Sequence, residues 1–190
     1  MMDEKELRAY LTSSGAFLEG HFLLSSGLHS PNYVQCAQAL KDPAWAGRMG
    51  AALAEGWTGP KPEVVLSPAM GGLIIGHEVA RAFGVNFLFT EREDNVMTLR
   101  RGFALKAGIK LIIVEDVFTT GKSTLETAAV AKASGADVVG AMSVIDRMGG
   151  KTLPFPHLSL LKLDLTTYMQ GACPLCAAGG SPVKPGSRKF

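Results

Sequence analysis

The stretch from Glu115 to Thr124 reads Glu-Asp-Val-Phe-Thr-Thr-Gly-Lys-Ser-Thr: two adjacent acids leave an apolar run, and hydroxyl residues around Gly121 lead into a helical pattern. Backbone N–H groups at a helix N-terminus, with hydroxyls beside them, suit an anion such as a phosphate. Paired carboxylates just upstream suit sugar hydroxyls, or an ion held by the same ligand. A site offering both points to a phosphorylated sugar. An ordinary capped strand-to-helix turn explains one hydroxyl, but not two acids and the whole cluster. Gly121-Lys122-Ser123 also echoes the nucleotide P-loop, yet that motif needs a glycine where Asp116 stands.

Three other segments have chemistry-bearing spacing. Ser67-Pro68-Ala69-Met70-Gly71-Gly72 follows an apolar run, and its glycines would let backbone N–H groups approach a ligand closely. Glu91 to Phe103 is polar, lies between two apolar runs and is long for an α/β connection, which makes it a candidate mobile lid. Its cations are Arg92, Arg100 and Arg101, with an exposed charged hairpin as the plain alternative. Cys173-Pro174-Leu175-Cys176 is a C-x-x-C pair, but it offers two ligands where a structural zinc usually takes four. A structural or incidental role, a zinc shared across subunits and a redox pair all stay open for it. Cys36 is far away in sequence, and His21, His29, His77 and His157 are dispersed, so no histidine-based metal site is expected.

These segments need elements to position them. A helix is expected from Asp3 to Thr12, with Leu7, Tyr10 and Leu11 on one face. Short strands follow at Gly20 to Leu24 and Asn32 to Cys36, joined by a turn-rich linker. Asp42-Pro43 starts a helix running to about Gly56. Apolar strands are then expected at Glu63 to Ser67, Val85 to Phe89, Lys110 to Val114, Asp137 to Ile145 and Leu158 to Leu163. Helices intervene near Leu73 to Phe83 and from Lys122 to about Ser134. Strands apolar throughout are those covered on both faces, and this alternation argues for an α/β fold, a parallel sheet flanked by helices. Residues 1–60 would form a small N-terminal α+β flap on an α/β core of 61–165, with 166–190 a C-terminal tail whose end, from Gly171, is extended. Ligands of such sheets lie beyond the carboxyl ends of the strands. The loops after Leu66, Phe89, Val114 and Ile145 are therefore the ones that matter.

With 190 residues and 47% hydrophobic side chains, the chain reads as one domain with a real core. A net charge of +2 is too balanced for a nucleic-acid backbone partner. No aliphatic run approaches the ~20 residues of a membrane span. The charged opening Met-Met-Asp-Glu-Lys-Glu does not read as a secretion signal, and three cysteines do not make a disulfide framework. The expectation is a cytoplasmic protein without a membrane or nucleic-acid partner.

The Glu115–Thr124 segment resembles the phosphoribosyl pyrophosphate (PRPP) signature of the type I phosphoribosyltransferases. Over most of its length the chain is similar, more narrowly, to the orotate phosphoribosyltransferases. Gly20-His21-Phe22-Leu23-Leu24-Ser25-Ser26-Gly27 with Ser30-Pro31 and Tyr33 carries that narrower match, as do Ser67 to Gly72 and Ile145-Asp146-Arg147. The resemblance implies transfer of ribose 5-phosphate from PRPP to a ring nitrogen of orotate, with release of pyrophosphate, in pyrimidine synthesis. It implies Mg2+ carried by the diphosphate and a homodimer with shared active sites. A purine-type phosphoribosyltransferase or a non-catalytic PRPP-sensing regulator is the alternative.

Carried over by position, Glu115 and Asp116 would hold the ribose hydroxyls, and Val117, Phe118, Thr119, Thr120, Gly121, Lys122 and Ser123 would line the 5-phosphate. Met70 and Gly71 would belong to the pyrophosphate loop. Thr119, Arg147, Tyr33 and Val34 would contact orotate, Arg147 taking its carboxylate in a fork geometry that lysine does not offer. A salt bridge is the ordinary alternative for Arg147, and core packing for Tyr33 and Val34. Asp116 with Arg92, Arg100 and Arg101 would form the catalytic group, Arg92 aligning with a PRPP-binding lysine. The chain departs from the family in two places: Gly71 and Ser25 stand where relatives carry lysine. The lid also lacks the lysines and histidine of familiar versions.

Overall fold

The computed structural model describes residues 2–24 and 26–185, so Met1, Ser25 and the last five residues lie outside the described part. The apolar runs pair into one six-stranded sheet, built from β3 (Val64–Pro68), β4 (Asn86–Glu93), β5 (Val96–Leu99), β6 (Lys110–Phe118), β7 (Asp137–Asp146) and β8 (His157–Lys162). Their order is β5-β4-β3-β6-β7-β8, parallel except for β5, which returns antiparallel along β4. A separate antiparallel hairpin pairs β1 (Phe17–Leu23) with β2 (His29–Val34). The α/β reading is thus right, with one antiparallel edge strand added.

Two helix starts follow directly from side-chain capping. Asp3 accepts a hydrogen bond from the Lys5 amide ahead of α1 (Glu4–Ser13), whose Leu7 and Leu11 are buried. Asp42 accepts from the Ala44 and Trp45 amides ahead of α3 (Pro43–Gly56), satisfying donors that the first helical turn leaves free. A five-residue helix, α2 (Cys36–Leu40), lies where the second short strand was expected to end. Alternation along β6 divides the core in two. Ile112 and Val114 pack on one face with Met49 and Leu53 of α3 and Ile75 and Val79 of α4 (Gly72–Phe83). Leu111 and Ile113 pack on the other with Ala128 and Ala131 of α5 (Lys122–Ala133).

The structure corrects the sequence reading at two further places. The lid candidate begins as ordinary sheet: β4 and β5 form a hairpin whose Asp94 and Asn95 both take positive φ, 50° and 65°. Two such residues make a two-residue turn that matches strand twist. The C-terminal segment is not simply extended. It carries a 3-10 turn at Gln170–Ala172 and a short helix, α6 (Pro174–Ala177), and backbone bonds dock it on the β1–β2 hairpin. Among the described residues no helix is long and apolar enough to cross a membrane.

Candidate active site

Glu115 and Asp116 sit inside β6, one step past its fully buried run, and the strand continues to Phe118 alongside β7. Thr124, in the first turn of α5, donates its hydroxyl to Glu115 Oε2 at 2.5 Å. Burial lifts Glu115 from 4.5 to about 7, the Thr124 bond opposes the rise, and the Asp116 charge adds to it. Asp116 is also raised by burial, against hydrogen bonds from the Val117 amide at 2.9 Å and from its own amide. Two carboxylates that lose hydration at a strand end favour hydroxyl donors or a cation that restores it.

The turn from β6 to α5 leaves Thr119 and Thr120 exposed. The Lys122 amide donates to Thr120 Oγ1 at 3.3 Å, and Gly121 caps the helix at φ 74°. A side chain at Gly121 would both strain that backbone and sit 2.9 Å from Leu153 Cδ2. Phe118 is fully buried in the core, so within this loop it offers a ligand its backbone alone. Lys122 is exposed, with its ammonium 3.9 Å from Glu126. Ser123 is half-buried beside it.

Beyond β3, the Ala69–Met70 peptide is cis, and Met70 is exposed. The loop presses against the acids: a Cβ added at Gly71 would stand 2.5 Å from Asp116 Oδ1 and 2.8 Å from its Cγ. Any side chain at this position would push the Asp116 carboxylate aside.

At the end of β7, the Arg147 amide donates to the Phe118 carbonyl at 2.8 Å, tying the two strand ends together. Arg147 Nε is buried without a hydrogen-bond partner, and burial lowers the guanidinium, partly offset by the nearby Tyr33. A salt bridge does not explain this arginine: no ion pair involves it among the described residues. Tyr33 is half-buried on β2 with its ring centroid 5.7 Å from that of Phe22. Val34 packs in the core at 8% exposure, so a contact with a base would be through its backbone.

The lid arginines are occupied by the chain's own acids. Arg92 pairs with Glu126 of α5 and donates to the Asn95 carbonyl at 2.9 Å. Arg100 lies 3.2 Å from Glu93, and Arg101 lies 3.0 Å from Glu91 and over the Phe89 ring. Here they form a charged hairpin with those acids.

Sequence reasoning placed Thr124 in the signature segment without giving it a role and did not anticipate Glu126, although helical spacing from the Gly121 cap puts both within two turns of the site. It also did not foresee that two of the histidines meet. They are dispersed in sequence, but His21 and His29 face each other across the hairpin and meet Cys173 and Cys176. Two histidines flanking a turn between short strands were the signal for this. A surface concavity lined by Lys61, Glu63 and Asn86 opens at the opposite ends of β3 and β4 and contains none of these groups.

The family model for the phosphoribosyl transferase domain matches residues 47–162. Orotate phosphoribosyltransferase of Acidithiobacillus ferrooxidans is 48% identical over 193 residues, covering 98% of each chain. That of Desulforamulus reducens is 44% identical over 190 residues, covering all of both. The crystal structure of orotate phosphoribosyltransferase from Aeropyrum pernix superposes with a TM-score of 0.69 at 25% identity, over 83% of this chain and 93% of that one.

Proposed function

The chain belongs to the orotate phosphoribosyltransferase family, and from that premise we propose that it is a pentosyltransferase of pyrimidine biosynthesis. It transfers ribose 5-phosphate from PRPP to orotate, giving orotidine 5'-phosphate and pyrophosphate. The observation that carries the assignment of roles is Arg147, a half-buried arginine whose buried Nε is unpartnered, beside Tyr33 and one strand from the acid pair. A cation so placed lacks an anion, and the orotate carboxylate supplies one.

Glu115 and Asp116 accept the ribose hydroxyls, the Thr119–Ser123 turn cradles the 5-phosphate, and Met70 and Gly71 lie against the diphosphate. Departure of pyrophosphate leaves positive charge at the ribose C1, so no covalent nucleophile is required. Orotate is acidic at its ring nitrogen, so no strong general base is assigned. The protein's task is to hold the reactants in line, a contribution of ~7–11 kcal/mol to lowering the barrier. The rest is electrostatic, with water excluded as the lid closes. Glu115 and Asp116, as oxygen-only donors, would suit a hard cation such as Mg2+ carried by the diphosphate, which would spread the leaving-group charge. Arg92, Arg100 and Arg101 meet that charge after leaving their acidic partners. Residues 1–190 act as one domain with the hairpin as its flap, in a cytoplasmic homodimer.

Incubation with PRPP, Mg2+ and orotate should deplete the pyrimidine absorbance. Arg147→Ala should chiefly raise the KM for orotate, and Asp116→Asn should chiefly damage use of PRPP. Equal loss toward both substrates in both variants would overturn the division of roles, and PRPP binding without turnover would overturn the activity.

A further inference from the structure

His21 on β1, His29 on β2, and Cys173 and Cys176 of the C-terminal segment bring four ligand atoms within 4.8 Å of one another. His21 Nε2 lies 2.9 Å from His29 Nδ1, and Cys176 Sγ lies 3.3 Å from that same Nδ1. Cys173 and Cys176 Sγ lie 3.5 and 3.7 Å from His21 Nε2. Tetrahedral zinc bonds of ~2.0–2.1 Å to nitrogen and ~2.3 Å to sulfur put ligand atoms roughly 3.3–3.8 Å apart. The three sulfur–nitrogen distances already fall in that range, and the two imidazoles need to open by a few tenths of an ångström. We propose that these four side chains form a tetrahedral Cys2His2 zinc site that clasps the C-terminal segment to the β1–β2 hairpin.

The backbone around the cluster serves this geometry. The register of β1 shifts between Glu19 and Phe22, re-aiming His21 as bulges do. In α6 the Ala177 amide donates to the Cys173 carbonyl at 3.1 Å, a turn that brings both thiols to one side. The C-terminal segment pairs with the histidines themselves: Val183 donates to the His21 carbonyl at 2.7 Å, and Tyr168 exchanges two bonds with His29. His29 and Cys173 are 2% and 3% exposed, and the buried His21 Nδ1 has no partner, so hydrogen bonding within the chain leaves this burial unexplained. Two thiols and two imidazoles select zinc over the hard cations that carboxylates prefer. On coordination each thiol gives its proton to solvent. All four ligands come from one chain, so no subunit sharing is needed.

The test is metal analysis of the untagged full-length protein, purified anaerobically. One zinc per chain is expected, retained in His77→Asn and lost in Cys176→Ser. Should Cys176→Ser fail to fold, thiol titration of the wild type replaces it: Cys173 and Cys176 should react slowly until a chelator is added. Cobalt in place of zinc should give the intense visible bands of a tetrahedral thiolate site. Absence of stoichiometric metal with no shift in melting temperature on adding zinc overturns the site. So does zinc kept in Cys176→Ser, or a Cys173–Cys176 disulfide in place of metal. A second arm rests on the proposed function: because the hairpin carries Tyr33, stripping zinc should raise the KM for orotate several-fold and leave that for PRPP unchanged. Failure of this arm alone, with zinc bound, would count against Tyr33's role and not against the site.

Discussion

Glu115 is a residue where function and stability pull apart. Its carboxyl titrates near 7 in the folded protein and near 4.5 when unfolded, because burial penalises the charge. Between those two values the folded state therefore holds a proton that the unfolded state has released. Stability falls as pH rises through that window and levels off above it. At one unit per about 1.4 kcal/mol, the cost at pH 8 is on the order of 3–4 kcal/mol. Glu115→Gln should remove it: denaturant midpoints of the variant and wild type should agree at pH 3.5, with the variant higher at pH 8. The same variant should bind PRPP worse, since an amide is a poorer acceptor for ribose hydroxyls than a carboxylate. A variant no more stable at pH 8 would mean that Glu115 is ionised at little cost in the free protein.

At the scale of elements, α5 is joined to the lid candidate. Glu126, one turn beyond Lys122, ties Arg92 of β4 to the helix, and on the proposed function Arg92 would have to leave that pair to meet a diphosphate. Partly exposed pairs of this kind are worth ~1 kcal/mol or less. Glu126→Gln should therefore lower the KM for PRPP by up to about fivefold, while Arg92→Ala should raise it, as steady-state kinetics with PRPP varied would read. If Glu126→Gln raises the KM as well, the pair positions Arg92 and does not compete for it. The sequence shows why the lid's form was hard to read. Val96-Met97-Thr98-Leu99 is a four-residue strand inside a charged stretch, ordered by pairing with β4, and local pattern gives no hint of that partner. The end of β6 was obscured similarly, since Glu115 and Asp116 look like loop yet extend the ladder opposite Ser143 and its neighbours. The buried strands were legible because their apolar runs need only helices on both faces. The acid pair and Arg147 could be singled out in the sequence because Glu115-Asp116 and Asp146-Arg147 each follow directly on an apolar run. The histidine–cysteine cluster was not, because backbone bonds across more than a hundred residues assemble it.

Across the whole molecule, the strand order separates the lid from the site it is to cover. From β5 to β6 is three strand steps, roughly 14 Å at ~4.8 Å each, and to β7 it is roughly 19 Å. Arg100 and Arg101 follow β5 at the sheet's outer edge and pair there with Glu93 and Glu91, farther from Asp116 than an arginine side chain extends. A neighbouring subunit whose site lies against that edge gives these cations a nearer target, which is the physical case for shared sites in a homodimer. Complementation tests it. Asp116→Asn chains lack the acid, and Arg100→Ala/Arg101→Ala chains lack the lid cations, so each should be nearly inactive alone. In a mixed dimer with shared sites, one site carries both defects and the other carries none. Unfolding and refolding equal amounts together should then recover about one quarter of wild-type activity, the share of intact sites in randomly paired two-fold dimers. Mixed dimers that form, as native mass spectrometry would report, yet stay inactive would place each lid over its own subunit's acids and require a closure spanning half the sheet.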